Sequence, residues 1–173
     1  MVKNSDERKQ KVFLSLGSNL GDRLLNLKQA LVLIEKRIGF IAEQSSYYET
    51  EAWGKEELLP FLNIVVEAHT ALSPQLLLKA CLLVEKELGR KRTSTGSYEN
   101  RIIDVDILYY NEDIIDMPEL KVPHPLMHKR AFVLIPLAEI APHQLHPVLQ
   151  KSSAQLLELV EDQMSVKRYN RPI

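Results

Sequence analysis

Cysteine is almost missing from this sequence, since Cys81 is the only one in 173 residues. A lone cysteine cannot form an intrachain disulfide, and its neighbours Leu82, Leu83 and Val84 predict a buried, inert thiol rather than a nucleophile. The chain also lacks any run of about 18 apolar residues, and residues 1–10 contain no apolar stretch. We therefore expect no membrane span and no signal peptide, and a cytoplasmic protein.

Neither sign of charge is in excess, because 22 Lys and Arg side chains face 23 Asp and Glu side chains, giving a net charge of -1. Nucleic-acid binding needs a strongly basic face, so we expect no nucleic-acid partner and only local positive patches. No internal repeat or low-complexity segment is present. The length predicts one domain with a single core over residues 11–173, after a flexible N-terminal segment at residues 1–10.

Two amphipathic helices are predicted from apolar residues that recur at steps of three and four. The first should end at Gly39, and its apolar face consists of Leu24, Leu27, Leu31, Ile34 and Ile38. The second should begin at Ser73 and Pro74, which are typical of a helix start, and end at Gly89. Its apolar face consists of Leu76, Leu77, Ala80, Leu83, Val84 and Leu88.

Four strands are predicted around these helices, at residues 11–17, 41–49, 61–69 and about 101–110. Apolar and other residues alternate in the first one, which predicts a half-buried strand. The resulting order β-α-β-β-α-β is typical of a ferredoxin-like α+β sandwich, with an antiparallel sheet and both helices on one face.

Additional helices are predicted nearer the C-terminus. Residues 111–150 are rich in proline, so turns should direct their path, with one helix near residues 127–140. Ser152 or Ser153 should cap a last short helix.

Asp104 and Asp106 form the first candidate site. In a strand, residues two apart share a face and lie about 7 Å apart, so the two carboxylates could hold a Mg²⁺ ion together with substrate phosphates. The alternative is an ordinary solvent-facing strand surface. Ile102 and Leu108 flank the pair on the same face, and carboxylates in an apolar row need partners.

Arginines lie on both sides of a small, polar stretch that precedes this strand. Arg90, Lys91 and Arg92 come before residues 93–97, and Arg101 follows them. Guanidinium groups suit phosphate oxygens, so this stretch could be a lid over a phosphorylated ligand. A solvated loop with scattered charges is the alternative.

His124 lies between two prolines and could donate a hydrogen bond to a phosphate, or could simply occupy a turn. His124 and His128 are four residues apart, but Pro125 disfavours a helix there, so zinc is not predicted. The remaining histidines are predicted to be structural: His69, His143 and His146.

A further cluster combines aromatic rings with one amide. Thr50, Trp53 and Gly54 belong to a predicted loop, and Phe61 and Asn63 share a strand face. Such residues can bind a flat heterocycle or belong to the core. Asn63 favours a ligand, because an amide between apolar neighbours must find partners.

Taken together, these motifs resemble the 6-hydroxymethyl-7,8-dihydropterin pyrophosphokinase family, from Leu14 to about Pro142. The matching segments are LSLGSNLGD, SSYYETEAWG with FLN, RIIDVDIL and VPHPLMHKRAFVLIPLAEIAP. The resemblance implies a ferredoxin-like enzyme of folate biosynthesis. Such an enzyme transfers diphosphate from ATP to the hydroxymethyl group of the pterin and uses two Mg²⁺ ions.

The resemblance also implies three sets of site residues. The catalytic set is Arg90, Arg92, Asp104 and Asp106, with Asp104 and Asp106 as the metal ligands. The ATP-binding set is Glu85, Arg101, Ile107, His124 and Arg130. The pterin-binding set is Thr50, Glu51, Ala52, Trp53, Phe61, Asn63, Tyr98 and Phe132.

This sequence departs from the family pattern at several positions. Tyr98 stands where many members have tryptophan, the stretch from Ser97 to Asn100 lacks the common Gly-Pro, and a proline-containing loop reads Glu51-Ala52 here. Glu119 replaces an arginine of some relatives. These departures predict changes in lid closure and affinity rather than loss of the metal site.

Two alternatives to the kinase remain at this stage. A ferredoxin-like regulatory module that binds a small molecule without catalysis would not need the carboxylates aligned with arginines. A phosphate-ester hydrolase with the same metals would consume ATP without a pterin. Under the kinase hypothesis, the partners are the small molecules ATP and the pterin, with no membrane, and the protein is expected to be a monomer.

Overall fold

A central antiparallel sheet organises this protein, as seen in a computed structural model that describes residues 9–50, 59–90, 100–162 and 164–170. The strands are β1 Gln10–Ser18, β2 Gly39–Gln44, β3 Tyr48–Thr50, β4 Phe61–Thr70, β5 Asp104–Tyr110, β6 Ile115–Asp116, β7 Lys121–Val122 and β8 Val166–Arg168. The helices are α1 Arg23–Arg37, α2 Pro74–Glu87, α3 Ala131–Ile140 and α4 Ser153–Leu159, with a 3-10 turn at Met127–Lys129.

The main sheet has the order β5-β1-β4-β3-β8, and β2 also pairs with β4. All of its pairs are antiparallel. Strand β1 is central, because it pairs with β4 on one side and with β5 on the other. The predicted order β-α-β-β-α-β and the ferredoxin-like class are confirmed. The hairpin β6-β7 and the edge strand β8 were not predicted.

Helices cover both faces of the sheet. On one face, α1 and α2 pack against strand residues such as Leu14 and Ile64. On the other face, α3 and α4 pack against Phe13, Val65 and Leu108. The predicted C-terminal helices therefore form a third layer. No helix in the described ranges has the length and apolar content needed to cross a membrane.

This third layer overturns the prediction that the first strand is half-buried. Phe13 is 1% exposed and Ser15 is 7% exposed, although both lie on the face that we expected to be more exposed. The aromatic ring of Phe13 packs edge-on against Tyr109 in the core under α3 and α4. The alternation of residue types correctly predicted the strand, but it did not predict that α3 and α4 cover its second face.

The predicted strand at residues 41–49 is divided into β2 and β3. Both parts run along β4, and the chain between them is held at Ser45, whose backbone N–H donates to Val65 O at 2.9 Å. The Ser45 hydroxyl accepts from Val65 N at 3.0 Å. A side chain thus replaces a backbone group in the ladder, which interrupts regular pairing.

Most helix boundaries follow the predicted capping residues. Ser73 accepts a hydrogen bond from Leu76 N at the start of α2, and Ser152 caps α4 in a capping box with Gln155. The helix predicted at 127–140 instead begins at Ala131, because Arg130 has an extended backbone that separates it from the 3-10 turn. Strand β5 begins at Asp104 rather than near 101.

The apolar face of α2 is narrower than predicted. Leu77, Cys81 and Val84 are buried, whereas Leu76 and Leu83 are 50% and 39% exposed. The prediction of a buried Cys81 is confirmed, and burial raises the pKa of its thiol, which keeps it protonated.

Candidate functional site

Strand β5 begins with the two predicted metal ligands. Val105 and Ile107 point into the core with α1 and α2, so Asp104 and Asp106 lie on the opposite face, toward α3. Asp104 pairs in register with Gly17 and Asp106 with Ser15 in β1. The shared face that the sequence predicted for the two carboxylates is therefore present.

Two arginines bind the two oxygens of Asp104. Arg90 Nη1 donates to Oδ1 at 2.5 Å, and Arg101 Nη1 donates to Oδ2 at 2.9 Å. Arg90 follows the end of α2, and Arg101 precedes β5, so the chain reaches this carboxylate from both sides. Of the arginines predicted near the carboxylate pair, Arg90 and Arg101 are thus brought together with it.

Glu85, a residue of α2, contacts Arg90 and is 2% exposed. Its Oε1 accepts hydrogen bonds from Arg90 Nη1 at 2.6 Å and from the backbone N–H of Val105 at 2.9 Å. The carboxylate therefore holds Arg90 and fixes the first residues of β5 to α2. A buried carboxylate with two such donors has the partners that its charge requires.

Asp106 has a raised pKa. Burial is the main cause, and the negative charge of Asp104 adds to it, while the positive charge of Arg130 acts in the opposite direction. Two carboxylates that cannot easily both be charged favour binding of a cation. In the described ranges, no group of three or more His, Cys, Asp or Glu side chains could hold a metal. A metal on this pair would need further ligands from water or from substrate phosphates, which is the usual arrangement for Mg²⁺.

His124 faces the same carboxylates. Its backbone N–H donates to Leu108 O at 3.0 Å, which ties the turn to β5. Its Nδ1 accepts from Leu126 N at 3.1 Å, so in the neutral ring the proton is assigned to Nε2, which lies 4.0 Å from Asp106 Oδ2. Burial and the charge of Arg130 lower the pKa of His124 to about 4. At neutral pH, His124 is therefore a neutral donor directed toward the site.

Predicted pterin residues gather at the end of β3 and the start of β4. Asn63 Nδ2 donates to Thr50 Oγ1 at 2.8 Å, and the two residues are 3% and 2% exposed. Phe61 lies two residues before Asn63 on the same strand face. A Cβ atom placed on Gly17 would lie 2.7 Å from Asn63 Oδ1 and 3.4 Å from Phe61 Cδ1. The absence of a side chain at Gly17 therefore leaves space beside the amide.

Arg130 and Phe132 come from the start of α3. The Arg130 guanidinium lies 5.7 Å from the centre of the Phe132 ring, and its charge acts on both Asp106 and His124. These residues therefore border the same face as the aspartates. Ile107 does not, because its side chain lies in the core with α1 and α2.

Five residues predicted for the site lie outside the described ranges: Glu51, Ala52, Trp53, Arg92 and Tyr98. Gly17 lies beside Asn63 and Asn19 lies beside Arg101, but neither was in the predicted sets. Asn19 is 1% exposed and bonded to residues that precede β4 and β5. The signal for Asn19 is the stretch GSN at the end of a buried strand, since a polar residue there needs partners from neighbouring strands. The signal for Gly17 is a glycine within a strand, which often marks a close approach of a ligand or of another backbone.

Paired carboxylates, converging arginines and a neutral histidine donor on one sheet face define an enzyme of the class that transfers phosphoryl or diphosphoryl groups. The sequence pattern of one family, 7,8-dihydro-6-hydroxymethylpterin-pyrophosphokinase, matches residues 13–142. The chain belongs to this family.

Several curated relatives support the same membership. The 2-amino-4-hydroxy-6-hydroxymethyldihydropteridine pyrophosphokinase of Porphyromonas gingivalis is 47% identical over 138 residues, which are 79% of this chain and 93% of that protein. The enzyme of the same name from Aquifex aeolicus is 45% identical over 141 residues, 81% of this chain and 86% of that one. The folic acid synthesis protein FOL1 of Dictyostelium discoideum is 40% identical, but the match covers only 22% of it.

Solved structures show the same fold. An HPPK-DHPS structure in complex with substrates superposes with a TM-score of 0.71 at 16% identity, covering 88% of this chain and 43% of that one. Wild-type HPPK-DHPS of Plasmodium falciparum with pteroate also gives 0.71, at 18% identity, covering 87% and 44%. The chain spans less than half the length of these structures, and at such identities the likeness concerns the fold alone.

Proposed function

We propose that this enzyme transfers the terminal diphosphate of ATP to the hydroxymethyl oxygen of 6-hydroxymethyl-7,8-dihydropterin, releasing AMP, as a step of folate biosynthesis. The observation that carries the proposal is the position of Asp104 between Arg90 and Arg101, with Asp106 on the same strand face, in a member of this family. The alternative of a regulatory module is not favoured, because curated relatives of this chain are named as pyrophosphokinases.

Asp104 and Asp106 would hold two Mg²⁺ ions. The donor set fits Mg²⁺, because it consists of carboxylate oxygens on one strand face, and Mg²⁺ takes its remaining ligands from water and substrate phosphates. Bound there, the ions would neutralise phosphate oxygens during transfer. The number of ions is part of the proposal.

Positive and neutral donors on this face would bind the triphosphate. Arg101 and Arg130 offer guanidinium groups, and the neutral His124 offers Nε2–H without adding charge. Arg90, held by Glu85, and Arg92 would approach the charge that develops in the transition state. Glu85 would then hold Arg90 and the start of β5 in place. Its contact with the nucleotide remains a prediction.

The pterin would bind at the other end of the same face. Asn63 would recognise its polar edge, while the rings of Phe61 and Phe132 would enclose the flat heterocycle. Thr50 holds the Asn63 amide at 2.8 Å and so fixes its orientation. Held in this way, the hydroxymethyl oxygen would lie in line with the β-phosphorus, so ATP is cut between its α and β phosphates.

The test is an identification of products. Purified protein with Mg²⁺, ATP and 6-hydroxymethyl-7,8-dihydropterin should yield AMP and the diphosphorylated pterin in equal amounts. ADP with a monophosphate ester would contradict the proposal, and AMP formed at the same rate without the pterin would favour the hydrolase. Pterin and ATP binding without any turnover would favour the regulatory module.

We also propose that the enzyme is a cytoplasmic monomer, with residues 11–173 as one pyrophosphokinase domain. In support, α3 and α4 share one core with the sheet, so the chain beyond the family match at residue 142 packs with it. Light scattering at several protein concentrations would test the monomer.

A further inference from the structure

Asn19 is a buried polar residue that joins the starts of two strands of the site. It directly follows β1 and is 1% exposed. Its Nδ2 donates to Leu59 O at 3.0 Å and to Asn100 Oδ1 at 2.7 Å. Its Oδ1 accepts from Arg101 N at 2.7 Å, and its own backbone N–H donates to Arg101 O at 3.1 Å.

These partners precede the two strands that carry the proposed binding residues. Leu59 lies two residues before Phe61 at the start of β4, and Arg101 lies three residues before Asp104 at the start of β5. Asn100 Oδ1 also accepts from Leu59 N at 3.2 Å, which closes the network between the two segments. One side chain therefore connects the proposed pterin strand with the proposed phosphate and metal strand.

We propose that Asn19 is a positioning residue that holds the starts of β4 and β5 in the relation that aligns the pterin with the phosphates. The inference rests on the proposed function and adds a residue to it. Alignment of two bound reactants contributes strongly to rate, so a small displacement between the two strands lowers turnover more than it weakens binding of either substrate. Asn19 acts through Leu59 and Arg101.

The chemistry of the amide explains why asparagine suits this position. The side chain needs two N–H donors on one atom and an acceptor on the other, which an amide provides. In Asn19→Asp, one oxygen still accepts from Arg101 N. The other oxygen would face two acceptors, Leu59 O and Asn100 Oδ1, so the connection to β4 is broken selectively.

Asn26 provides a matched control on the neighbouring helix. Its Nδ2 donates to Ser18 Oγ at 3.1 Å and to Leu20 O at 2.8 Å, and neither partner lies in β4 or β5. Asn26→Asp therefore also removes two amide N–H donors, and these donors bind the residues on either side of Asn19. It should lower the melting temperature and leave turnover within about twofold of the wild type.

The experiment measures turnover at saturating concentrations of both substrates, together with the affinity for a non-hydrolysable ATP analogue. We expect at least a tenfold loss of turnover in Asn19→Asp with analogue affinity within threefold, because the Arg101 contact persists. A lowered melting temperature with unchanged turnover would overturn the inference. So would an equal loss of turnover in Asn26→Asp.

Exposed Asn100 supplies a second pair of variants that does not depend on folding of Asn19→Asp. Asn100→Asp keeps an oxygen that accepts from Asn19 and Leu59 and should stay within twofold of wild-type turnover. Asn100→Leu removes that acceptor and should lose at least fivefold. Equal turnover in both variants would contradict the inference. Wild-type protein that produces no diphosphorylated pterin would instead reject the proposed function itself.

Discussion

Asp104 and Asn63 lie opposite the same residue, Gly17, from the two sides of β1. Neighbouring strands are about 4.8 Å apart, so the backbones of the proposed metal ligand and the proposed pterin ligand are separated by roughly 10 Å. No side chain stands between them, because the intervening residue is glycine. Gly17 is not among the described glycines with positive φ, so its backbone does not require glycine. The space beside Asn63 does.

Gly17→Ala should therefore impair pterin binding selectively. The added methyl would lie only 2.7 Å from Asn63 Oδ1 and would contact Phe61 at 3.4 Å, whereas Asp104 and its arginines keep their contacts. We expect the KM for the pterin to rise at least tenfold and the affinity for a Mg²⁺-ATP analogue to change less than threefold. If binding of the pterin and binding of the ATP analogue were weakened equally, the substitution would disturb β1 as a whole.

Asp106→Asn should abolish Mg²⁺-dependent transfer and leave the fold intact. The substitution removes a metal ligand, but it also removes a charge that burial and repulsion by Asp104 disfavour, so the melting temperature at pH 8 should not fall. Asp116→Asn, at an exposed carboxylate paired with Lys121, is the control. Retention of more than about a tenth of the rate, a barrier change below roughly 1.4 kcal/mol, would refute the metal assignment.

Mg²⁺ should bind more weakly at pH 6 than at pH 8. The raised pKa of Asp106 keeps a proton on the carboxylate at the lower pH, and that proton must leave before the metal binds. His124, with a pKa of about 4, stays neutral over this range and does not contribute. Calorimetry in two buffers of different ionisation enthalpy measures the released proton, and equal affinity at both pH values without proton release would contradict this assignment.

The same pKa sets the sign of a stability effect. Because the folded-state pKa of Asp106 is above its unfolded value near 4, its contribution to stability is present below about pH 4. That contribution is lost as the pH rises through the raised value. In Asp106→Asn, denaturant unfolding between pH 5 and 8 should show a smaller fall in stability with rising pH than in the wild type.

Cys81 should resist thiol reagents in the native protein. It is 1% exposed, and burial raises the pKa of its thiol, so little thiolate is available for reaction. We expect one reactive thiol per chain in denaturant and almost none without it. Rapid modification under native conditions would contradict the burial of this face of α2.

Local sequence patterns predicted a large part of the fold. The steps of three and four in α1 and α2, the capping serines Ser73 and Ser152, and the order of the elements all reflect local preferences and the burial of one face. Three features were not predictable in this way: the layer of α3 and α4 over the second face of β1, the division of residues 41–49 into two strands, and the edge strand β8. Each depends on contacts between residues far apart in the chain.

For the site, the sequence by itself determined that Asp104 and Asp106 share a strand face, because a strand alternates with a period of two, and it determined the family through its motifs. Only the tertiary structure decided what surrounds them. Arg90 and Arg101 bind the same carboxylate. Gly17 leaves space beside Asn63, and Asn19 joins the starts of two strands. Strand register and loop packing bring these residues together, and no local sequence pattern connects them.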